Sequence, residues 1–362
     1  MNRVRVGFVG AGFMGEAHAA CFQEDSRVAI GRVAAGRGGS AARFAARFGI
    51  PLHSDRWQDV IEDPAIDAVD IVAPNDMHAE VAVAAAQAGK AILIEKPLAR
   101  SLDEADRIVE AVTRHGVIAV YAENRRFSPA LQRVHRAVTD GSLGQPLLLR
   151  ITEMGSGPGH GAWFWNAERA GGGALIDMGI HGLATTEWLM RDRVASVQAM
   201  AARLRWAGRL APDVEDTMLT LARFAGGGVA QLACSWAYSG GLELRFELVG
   251  SLGTTVADLG RGASGLSLYT ETAAPHTEAA RRPHQATPQG WSFPLTDEWR
   301  QKGHLGEIRH FVDCVRGEAT PACTVADGYR CLQLAEAIRR AAVERCEVAV
   351  RPPSGFAERS LP

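Results

Sequence analysis

Short apolar runs and segments with helical periodicity alternate along the first 121 residues. The apolar runs predict buried strands over residues 4–9, 28–35, 67–73, 91–95 and 117–121. The segments between them predict helices: one follows the glycine-rich stretch 10–15, and others cover residues 39–48, 78–88 and 102–115. Strands that alternate with helices of about 10–15 residues form βαβ units, so this part of the chain predicts a parallel sheet.

The pattern changes near residue 122. A helix is predicted at 128–139, and strand-like runs then follow one another closely, over residues 146–151, 194–204, 216–224, 228–237, 242–250 and 253–259. Gly-rich turns join several of them, which is typical of an antiparallel or mixed sheet. Residues 270–303 show little periodicity and predict a long surface loop, and two helices at about 304–317 and 325–345 follow it.

Length and composition narrow the function classes. The chain has 362 residues, too many for one ordinary core, so we expect two domains that divide near residue 122. A net charge of -2 gives no electrostatic reason to expect nucleic acid or an anionic membrane as partner. Neither a signal peptide nor an apolar run of the ~20 residues that a membrane helix needs is present. The six cysteines are scattered, so we expect free thiols in a reducing cytoplasm, without a disulfide framework or metal site.

The first chemical motif is Gly10-Ala11-Gly12-Phe13-Met14-Gly15, a GxGxxG between a predicted strand and a predicted helix. Gly10 allows the tight turn, Gly12 lets backbone approach a pyrophosphate, and Gly15 lets the helix pack on the strand. The helix N-terminus then presents N–H groups and a positive dipole end to the phosphates. The alternative is a purely structural glycine turn, but its place at the start of a βα repeat favours a dinucleotide site.

The residues at the end of the second predicted strand indicate whether the cofactor is NAD or NADP. That strand ends Ala34-Ala35-Gly36-Arg37, without the acidic residue that usually accepts the 2′-hydroxyl of NAD. A carboxylate would repel a 2′-phosphate, whereas Arg37 can pair with one. The sequence therefore favours NADP, with NAD as the alternative if Arg37 is solvated beside a ribose held by backbone.

Two further groups are candidates for proton chemistry. Lys96 follows a buried strand in Glu95-Lys96-Pro97, at the sheet edge where open α/β sheets bind ligands. Asp177 and His181 follow three glycines, and their i, i+4 spacing predicts one helix face. Histidine has an ordinary pKa near ~6.5 and suits the transfer of an alcohol proton. The alternatives are a surface lysine, a carboxylate at a helix N-terminus and a packed core histidine.

Together these motifs resemble the Gfo/Idh/MocA family, named for glucose-fructose oxidoreductase and inositol dehydrogenase. The resemblance covers nearly the whole chain and is strongest over residues 1–185. The GxGxxG turn, Glu-Lys-Pro and Asp-x-x-x-His occur in the family's order and approximate spacing. The segment 73–78 (Ala-Pro-Asn-Asp-Met-His) also resembles the family's Pro-Asn-x-x-His loop, which lies beside the cofactor.

The resemblance implies a fold and a set of roles. The fold is an α/β Rossmann domain with a parallel sheet, followed by an α+β domain with an open, largely antiparallel sheet that commonly forms homodimer or homotetramer contacts. Lys96 would orient the substrate hydroxyl and assist proton relay, His181 would be the general acid/base, and Asp177 would hold the substrate and the histidine. Cofactor contacts are expected from Gly10, Gly12, Phe13, Met14, Arg37, Pro74, Asn75, His78, Glu95 and Lys96.

Family substrates are mostly sugars, sugar derivatives and inositols, and some residues fit a carbohydrate. Arg125 follows the last predicted Rossmann strand, and Trp163 and Trp165 precede the glycine run. Aromatic faces pack on the C–H surfaces of sugars, and Arg bonds hydroxyls, so these three are expected to contact substrate along with Lys96, Asp177 and His181. The alternative is that the aromatics form a core cluster. His160 is expected to be a loop residue.

Three functions remain open from the sequence. The first is a dehydrogenase or reductase of a sugar or cyclitol that uses NAD(P). The second is a redox-neutral enzyme with tightly held cofactor, which forms a keto-sugar transiently during epimerisation or glycoside cleavage. The third is a non-catalytic dinucleotide-binding regulator, although a pure sensor has no need of Lys96, Asp177 and His181 together.

Overall fold

The computed structural model describes residues 3–36, 38–159, 161–260, 268–270, 290–292 and 297–350. The chain forms two compact units, each built from several segments. Unit 1 comprises residues 1–127, 168–171 and 303–332, and unit 2 comprises residues 128–167, 172–302 and 333–362. Unit 1 thus includes two segments from beyond residue 122, and the linear division into domains at that residue stays a prediction.

Unit 1 contains a six-stranded parallel sheet, as its alternating pattern predicted. The strands lie in the order β3-β2-β1-β4-β5-β6. Their bounds are Val4–Val9 (β1), Val28–Ala34 (β2), Leu52–Ser54 (β3), Ala68–Ile71 (β4), Ala91–Glu95 (β5) and Ala119–Ala122 (β6). The sequence analysis missed β3, because it has three residues and Leu52 is 45% exposed, so it carries no buried apolar run.

The helices of the first 127 residues connect successive strands, and their ends follow simple local rules. They are Phe13–Gln23 (α1), Ser40–Phe48 (α2), Gln58–Ile61 (α3), His78–Gln87 (α4) and Leu102–His115 (α5). The predicted bounds of α5 are confirmed at both ends. Ser101 Oγ accepts a hydrogen bond from the backbone N–H of Glu104, and Gly116 ends the helix with a φ of 63°.

Unit 2 contains a seven-stranded mixed sheet in the order β12-β11-β7-β10-β9-β8-β15. The strands are Pro146–Met154 (β7), Val194–Ala202 (β8), Thr217–Phe224 (β9), Val229–Ser235 (β10), Glu243–Gly250 (β11), Thr254–Asp258 (β12) and Val348–Ala349 (β15). Only β7 and β10 pair in parallel; the other neighbours in this sheet are antiparallel. The largely antiparallel sheet expected for this part of the chain is therefore confirmed.

Helices cover one face of the unit 2 sheet. They include Pro129–Thr139 (α6) and Ile180–Met190 (α8), and all eleven residues of α8 are buried. Ala167–Ala170 forms the short α7, and two longer helices close the described chain, His304–Val315 (α10) and Val325–Glu344 (α11). No helix among the described residues is long and apolar enough to cross a membrane.

The stretch 270–303 is not a plain loop where the structure describes it. Leu268–Thr270 (β13) pairs antiparallel with Gly290–Ser292 (β14), and Glu298–Gln301 (α9) begins with Asp297 as its N-cap. The loop prediction is wrong for these residues, since elements of three or four residues are too short to show periodicity. Residues 271–289 and 293–296 lie outside the described residues.

The glycines of the first turn differ in what the fold requires of them. Gly10 has a φ of +118°, and a Cβ there would lie 2.4 Å from the carbonyl oxygen of Val72. Gly12 has an ordinary φ of -92°, and a Cβ there would meet nothing within 4 Å. The fold therefore demands glycine at position 10, whereas at position 12 the open space in front of α1 is available for a ligand.

This difference gives a paired test. Gly10→Ala should lower the free energy of unfolding by about 1–3 kcal/mol through backbone strain and collision, seen as a lower melting temperature. Gly12→Ala should keep the melting temperature of the unliganded protein and weaken dinucleotide binding by about tenfold or more, measured by calorimetry, because its methyl group would enter the phosphate position. Unchanged dinucleotide affinity in Gly12→Ala would contradict a phosphate site at this turn.

Candidate functional site

The predicted cofactor residues of unit 1, and the predicted substrate residue Arg125, lie at one edge of its sheet. Gly12 precedes α1 directly after β1, Pro74 follows β4, Glu95 ends β5, and Arg125 follows β6. The chain runs outward from β1 through β2 and β3 and then returns to β4 on the other side of β1. This is a topological switch point, the place where open parallel sheets bind dinucleotides beyond the carboxyl ends of their strands.

The start of α1 fits a pyrophosphate. Gly12 is the N-cap and supplies no side-chain hydrogen bond, and Phe13 and Met14 are the first helical residues. The N-terminus of an α-helix presents backbone N–H groups and the positive end of its dipole, and both favour phosphate oxygens. Together with the open space at Gly12, this cradle fits the dinucleotide predicted from GxGxxG.

The ribose end of the site carries no carboxylate on the described part of the turn after β2. Ala34 is buried, Ala35 donates its backbone N–H to Ser54, and Ser40 bonds the carbonyl of Gly36. Arg43 donates from Nη1 to the carbonyl of Gly38 at 2.9 Å, which places its guanidinium at this turn. Arg37 itself lies outside the described residues, as does His160.

The loop after β4 is held by its own predicted cofactor residues. Asn75 is 3% exposed and donates from Nδ2 to the carbonyl of Ala170 at 2.7 Å. The buried ring of His78 lies 2.9 Å from the carbonyl of Pro97 through Nδ1 and 3.0 Å from that of Ala73 through Nε2. His78 thus ties this loop to the Lys96-Pro97 turn, and direct contact of either side chain with a cofactor stays a prediction.

A buried ionic chain leads to Lys96. Glu95 accepts the backbone N–H of Lys96 at Oε2 over 2.8 Å, and its Oε1 lies 3.2 Å from His18 Nε2. His18 Nδ1 lies 3.0 Å from Oδ2 of Asp70, which is fully buried on β4. The peptide bond between Lys96 and Pro97 is cis. The backbone of Lys96 is therefore fixed at the end of β5 through α1 and β4.

Burial and neighbouring charges shift the pKa values of two buried groups near Lys96. Burial disfavours charge on His18, but the carboxylates of Asp70 and Glu95 raise its pKa well above the ordinary value, which favours the imidazolium form. Full burial raises the pKa of Glu123 to about 8, against the opposing charges of Arg125 and Lys96. Glu123 directly follows β6 and accepts the backbone N–H of Arg125 at 3.1 Å. It is a perturbed carboxyl at the ligand edge.

Lysine is rare in this chain. The sequence contains only Lys90, Lys96 and Lys302. Lys90 donates to the carbonyls of Asp63 and Ile66, and Lys302 bonds Glu298 at 2.6 Å. Arg125, a predicted substrate contact, is only 5% exposed and stays a prediction in that role.

Asp177 and His181 lie in unit 2, on two different kinds of helix. Leu175–Gly179 is a π-helical turn, and His181 belongs to the α-helix α8 that continues from it. The regular α-helix expected through both residues is therefore wrong at Asp177. The π turn begins beside Glu215: a Cβ at Gly173 would lie 1.9 Å from the carbonyl oxygen of Glu215, and Leu175 N–H bonds Glu215 Oε1 at 2.9 Å. Such π turns are frequent at functional sites.

The predicted substrate aromatics have different surroundings. Trp165 is half-buried, donates from Nε1 to the carbonyl of Pro158 at 3.0 Å, and packs 5.4 Å from the ring of Trp236. Trp163 stacks on Phe164 with ring centroids 3.8 Å apart. The core-cluster alternative thus describes part of the role of Trp165, and substrate contact by Trp163 and Trp165 stays a prediction.

Sequence reasoning missed three residues of these sites: His18, Glu123 and Trp236. Trp236 is 1% exposed and donates from Nε1 to Oδ2 of Asp177 at 3.0 Å. One signal was present for His18, since Asp70 stands inside a fully apolar strand and a buried carboxylate requires a partner. Nothing in the sequence joined Trp236 to a carboxylate 59 positions away.

Metal and thiol chemistry have no visible site in the described part of the chain. No group of three or more His, Cys, Asp or Glu residues there is arranged to hold a metal ion. All six cysteines lie among the described residues and are free thiols, and five of them are buried.

Known proteins share both halves of this architecture. Residues 4–123 match the model of an oxidoreductase family with an NAD-binding Rossmann fold, and residues 131–256 match the GFO/IDH/MocA C-terminal domain. The levoglucosan dehydrogenase of Pseudarthrobacter phenanthrenivorans is 28% identical over 97% of this chain and 99% of its own length. An inositol 2-dehydrogenase of Saccharopolyspora erythraea is 31% identical over 78% of this chain and 84% of its own length.

A solved structure shows the same fold with a dinucleotide. It is GenD2 from gentamicin A biosynthesis in complex with NAD, with a TM-score of 0.89 and 29% identity over 97% of both chains. With both family models matched and a relative above 30% identity covered over most of its length, the resemblance seen in the motifs is confirmed. The chain belongs to the Gfo/Idh/MocA family of oxidoreductases, with an NAD-binding Rossmann fold.

Proposed function

We propose that this protein is a dehydrogenase or reductase that transfers a hydride between a nicotinamide cofactor and a hydroxyl or keto carbon of a sugar, sugar derivative or cyclitol. The observation that carries the proposal is the position of Lys96, whose backbone N–H is bonded by Glu95 at the carboxyl edge of the dinucleotide-binding sheet. The relatives named levoglucosan dehydrogenase and inositol 2-dehydrogenase support the substrate class.

The bound nicotinamide supplies the hydride acceptor or donor. In the oxidation direction, His181 accepts the proton of the substrate hydroxyl, and in reduction it returns that proton to the new alcohol. Lys96 donates hydrogen bonds to the reacting oxygen and stabilises the negative charge that develops on it. Asp177 accepts a hydrogen bond from the substrate and orients His181. Alignment of these groups and acid/base assistance each lower the barrier, the latter by about 10²–10⁴-fold in rate.

Substitution of the proposed proton-relay groups separates chemistry from cofactor binding. Lys96→Met and His181→Ala should each reduce kcat by about 10²–10⁴-fold, because each removes an interaction with the reacting oxygen. The dissociation constant for the dinucleotide should change little. The assay is the absorbance of reduced nicotinamide with both cofactors across a panel of sugars and inositols, with dinucleotide binding measured by fluorescence.

The matched control is His115→Ala, which removes an exposed histidine at the last turn of α5. Its kcat should equal that of the unsubstituted protein. Near-normal turnover in both Lys96→Met and His181→Ala would overturn the assignment. Turnover without added nicotinamide, with cofactor retained through purification, would favour the redox-neutral alternative, and silence across the panel would favour the regulator.

For the cofactor, we propose NADP in preference to NAD. The described turn after β2 offers no carboxylate to a ribose 2′-hydroxyl, and Arg43 lies at the same turn as Arg37 in the sequence. A 2′-phosphate next to guanidinium groups forms charge-assisted hydrogen bonds, and nothing acidic on the described part of that turn repels it. NAD remains the alternative, since the Rossmann fold is shared with the NAD complex of GenD2.

Arg37→Ala tests this preference. It should weaken NADPH binding by about 10–100-fold, the effect of one or two hydrogen bonds to a charged group, and leave NADH binding unchanged. Dissociation constants for both cofactors give the answer. Arg47→Ala is the matched control, because Arg47 lies in the last turn of α2, where it pairs with Glu16. Tighter binding of NADH than NADPH by the unsubstituted protein would refute the proposal.

For assembly, we propose a homodimer or homotetramer that forms through the uncovered face of the unit 2 sheet. Large apolar side chains project from three adjacent strands, β8, β9 and β10: Met200, Leu219, Leu221 and Val229 are 38–65% exposed. Strand register places these side chains on one side of the sheet. Leu219, Leu221 and Arg223 lie on the same face of β9, because they are two residues apart. Met200 pairs with Leu219, and Val229 pairs with Arg223. Val256 on β12, beyond β7 and β11, is 53% exposed. An apolar patch of this extent on several strands is typical of an interface between copies.

The double substitution Met200→Lys and Leu221→Lys should convert the oligomer to a monomer of 38.7 kDa, because two buried charges in each copy would oppose association. Light scattering coupled to size exclusion measures the mass. The control is Val343→Lys on α11, where the side chain is 82% exposed away from any strand. A monomeric unsubstituted protein, or an oligomer that survives the double substitution, would contradict the proposed interface.

A further inference from the structure

We infer that Trp236 is a positioning residue for the reaction, acting through the carboxylate of Asp177. This inference rests on the proposed function, in which Asp177 binds the substrate. The carrying observation is the indole N–H of Trp236, which donates to Asp177 Oδ2 over 3.0 Å from a side chain that is 1% exposed. A hydrogen bond from a buried donor to a carboxylate is stronger than one between neutral groups.

The donor side of this bond is fixed by its own contacts. The backbone N–H of Trp236 bonds the carbonyl of Asp216 at 2.7 Å, and its carbonyl accepts from Trp206 Nε1 at 3.0 Å. The ring packs in a cluster with Leu210 and Val214. Because backbone and ring are both held, the indole N–H points in one direction and can impose that direction on its acceptor.

The segment that carries the acceptor, Asp177, is bonded by Glu215, the residue before Asp216. Glu215 accepts the backbone N–H of Ala174 at its carbonyl over 3.2 Å and that of Leu175 at Oε1 over 2.9 Å. These bonds start the π-helical turn that carries Asp177. Glu215 therefore holds the segment of the acceptor, and Asp216 holds the donor. Two consecutive residues thus set the distance across the Trp236–Asp177 bond.

The bond restricts a carboxylate that would otherwise rotate. A carboxylate has about four lone-pair sites, so the indole occupies one and leaves acceptor capacity for a substrate hydroxyl. A fixed carboxylate loses less rotational freedom when the substrate binds and reacts. The π turn and the indole together explain why Asp177 is held in a geometry that an ordinary α-helix would not give.

The test compares two tryptophans of one cluster. Trp236→Phe removes the N–H donor and keeps the ring, and should lower kcat by about 10–100-fold, the effect of one hydrogen bond to a charged group. The KM for the dinucleotide should not change, because Trp236 acts on the substrate side. Trp206→Phe also removes an indole N–H, but that one bonds the carbonyl of Trp236. Its kcat should fall by less than that of Trp236→Phe, because the indole N–H of Trp236 and its backbone bond to Asp216 remain. Melting temperatures of both variants report any loss of fold.

A double-mutant cycle with Asp177→Asn separates positioning from general support. If Trp236 acts through Asp177, Trp236→Phe should reduce kcat much less in the Asp177→Asn background than alone. Equal reductions in both backgrounds, or normal kcat in Trp236→Phe, would overturn the inference while the proposed function stands. Normal turnover in Asp177→Asn, or no turnover of any sugar or cyclitol by the unsubstituted protein, would instead overturn the proposed function, and this inference with it.

Discussion

The dinucleotide edge of unit 1 depends on one buried histidine. His18 belongs to α1, and its ring lies against Asp70 on β4 and Glu95 at the end of β5. A buried charge is tolerated only with partners of opposite charge, and these two carboxylates provide them. Because Glu95 also accepts the backbone N–H of Lys96, the helix that faces the phosphates and the turn that carries the ammonium are held by the same interaction.

Unit 2 uses a buried carboxylate in a comparable way. Glu215 holds the start of the π-helical turn, and Asp216 accepts the backbone N–H groups of Leu204 and Trp206. Burial opposes ionisation of Asp216, but its backbone hydrogen bonds lower its pKa below the ordinary value, so it remains a carboxylate. In both units, acidic residues outside the proposed chemistry fix the backbone of the residues that would perform it.

Much of the fold could be predicted because its elements are long and local signals mark their ends. Ser101 and Gly116 delimit α5 in the sequence as they do in the structure, and the change from alternating βα units to closely spaced strands was visible near residue 122. β3 and α3 were missed because elements of three and four residues show no period. Periodicity also could not separate the π turn from α8, since the contact of Gly173 with Glu215, where the turn begins, spans 42 positions.

The candidate site was predictable only where one motif carried the chemistry. GxGxxG, Glu-Lys-Pro and Asp-x-x-x-His predict roles for Gly12, Lys96, Asp177 and His181, because each motif is short and placed at a strand end or helix start. The partners that hold these residues are distant in sequence, as Asp70 is from His18 and Trp236 from Asp177. His78 shows the converse, since its position in a motif suggested a ligand contact, whereas its ring bridges two carbonyl groups of the backbone.

Unit 1 is formed by three separate segments of the chain, and this matters for exchange of gene segments. Phe311 of α10 packs edge-on against Phe22 of α1, and the charge of His18 in α1 acts on buried Glu307 in α10. A gene segment encoding only residues 1–122 would leave that aromatic contact and that acidic neighbour behind. A segment transferred by recombination over residues 1–122 alone would therefore lack a helix that packs against α1 in the intact protein.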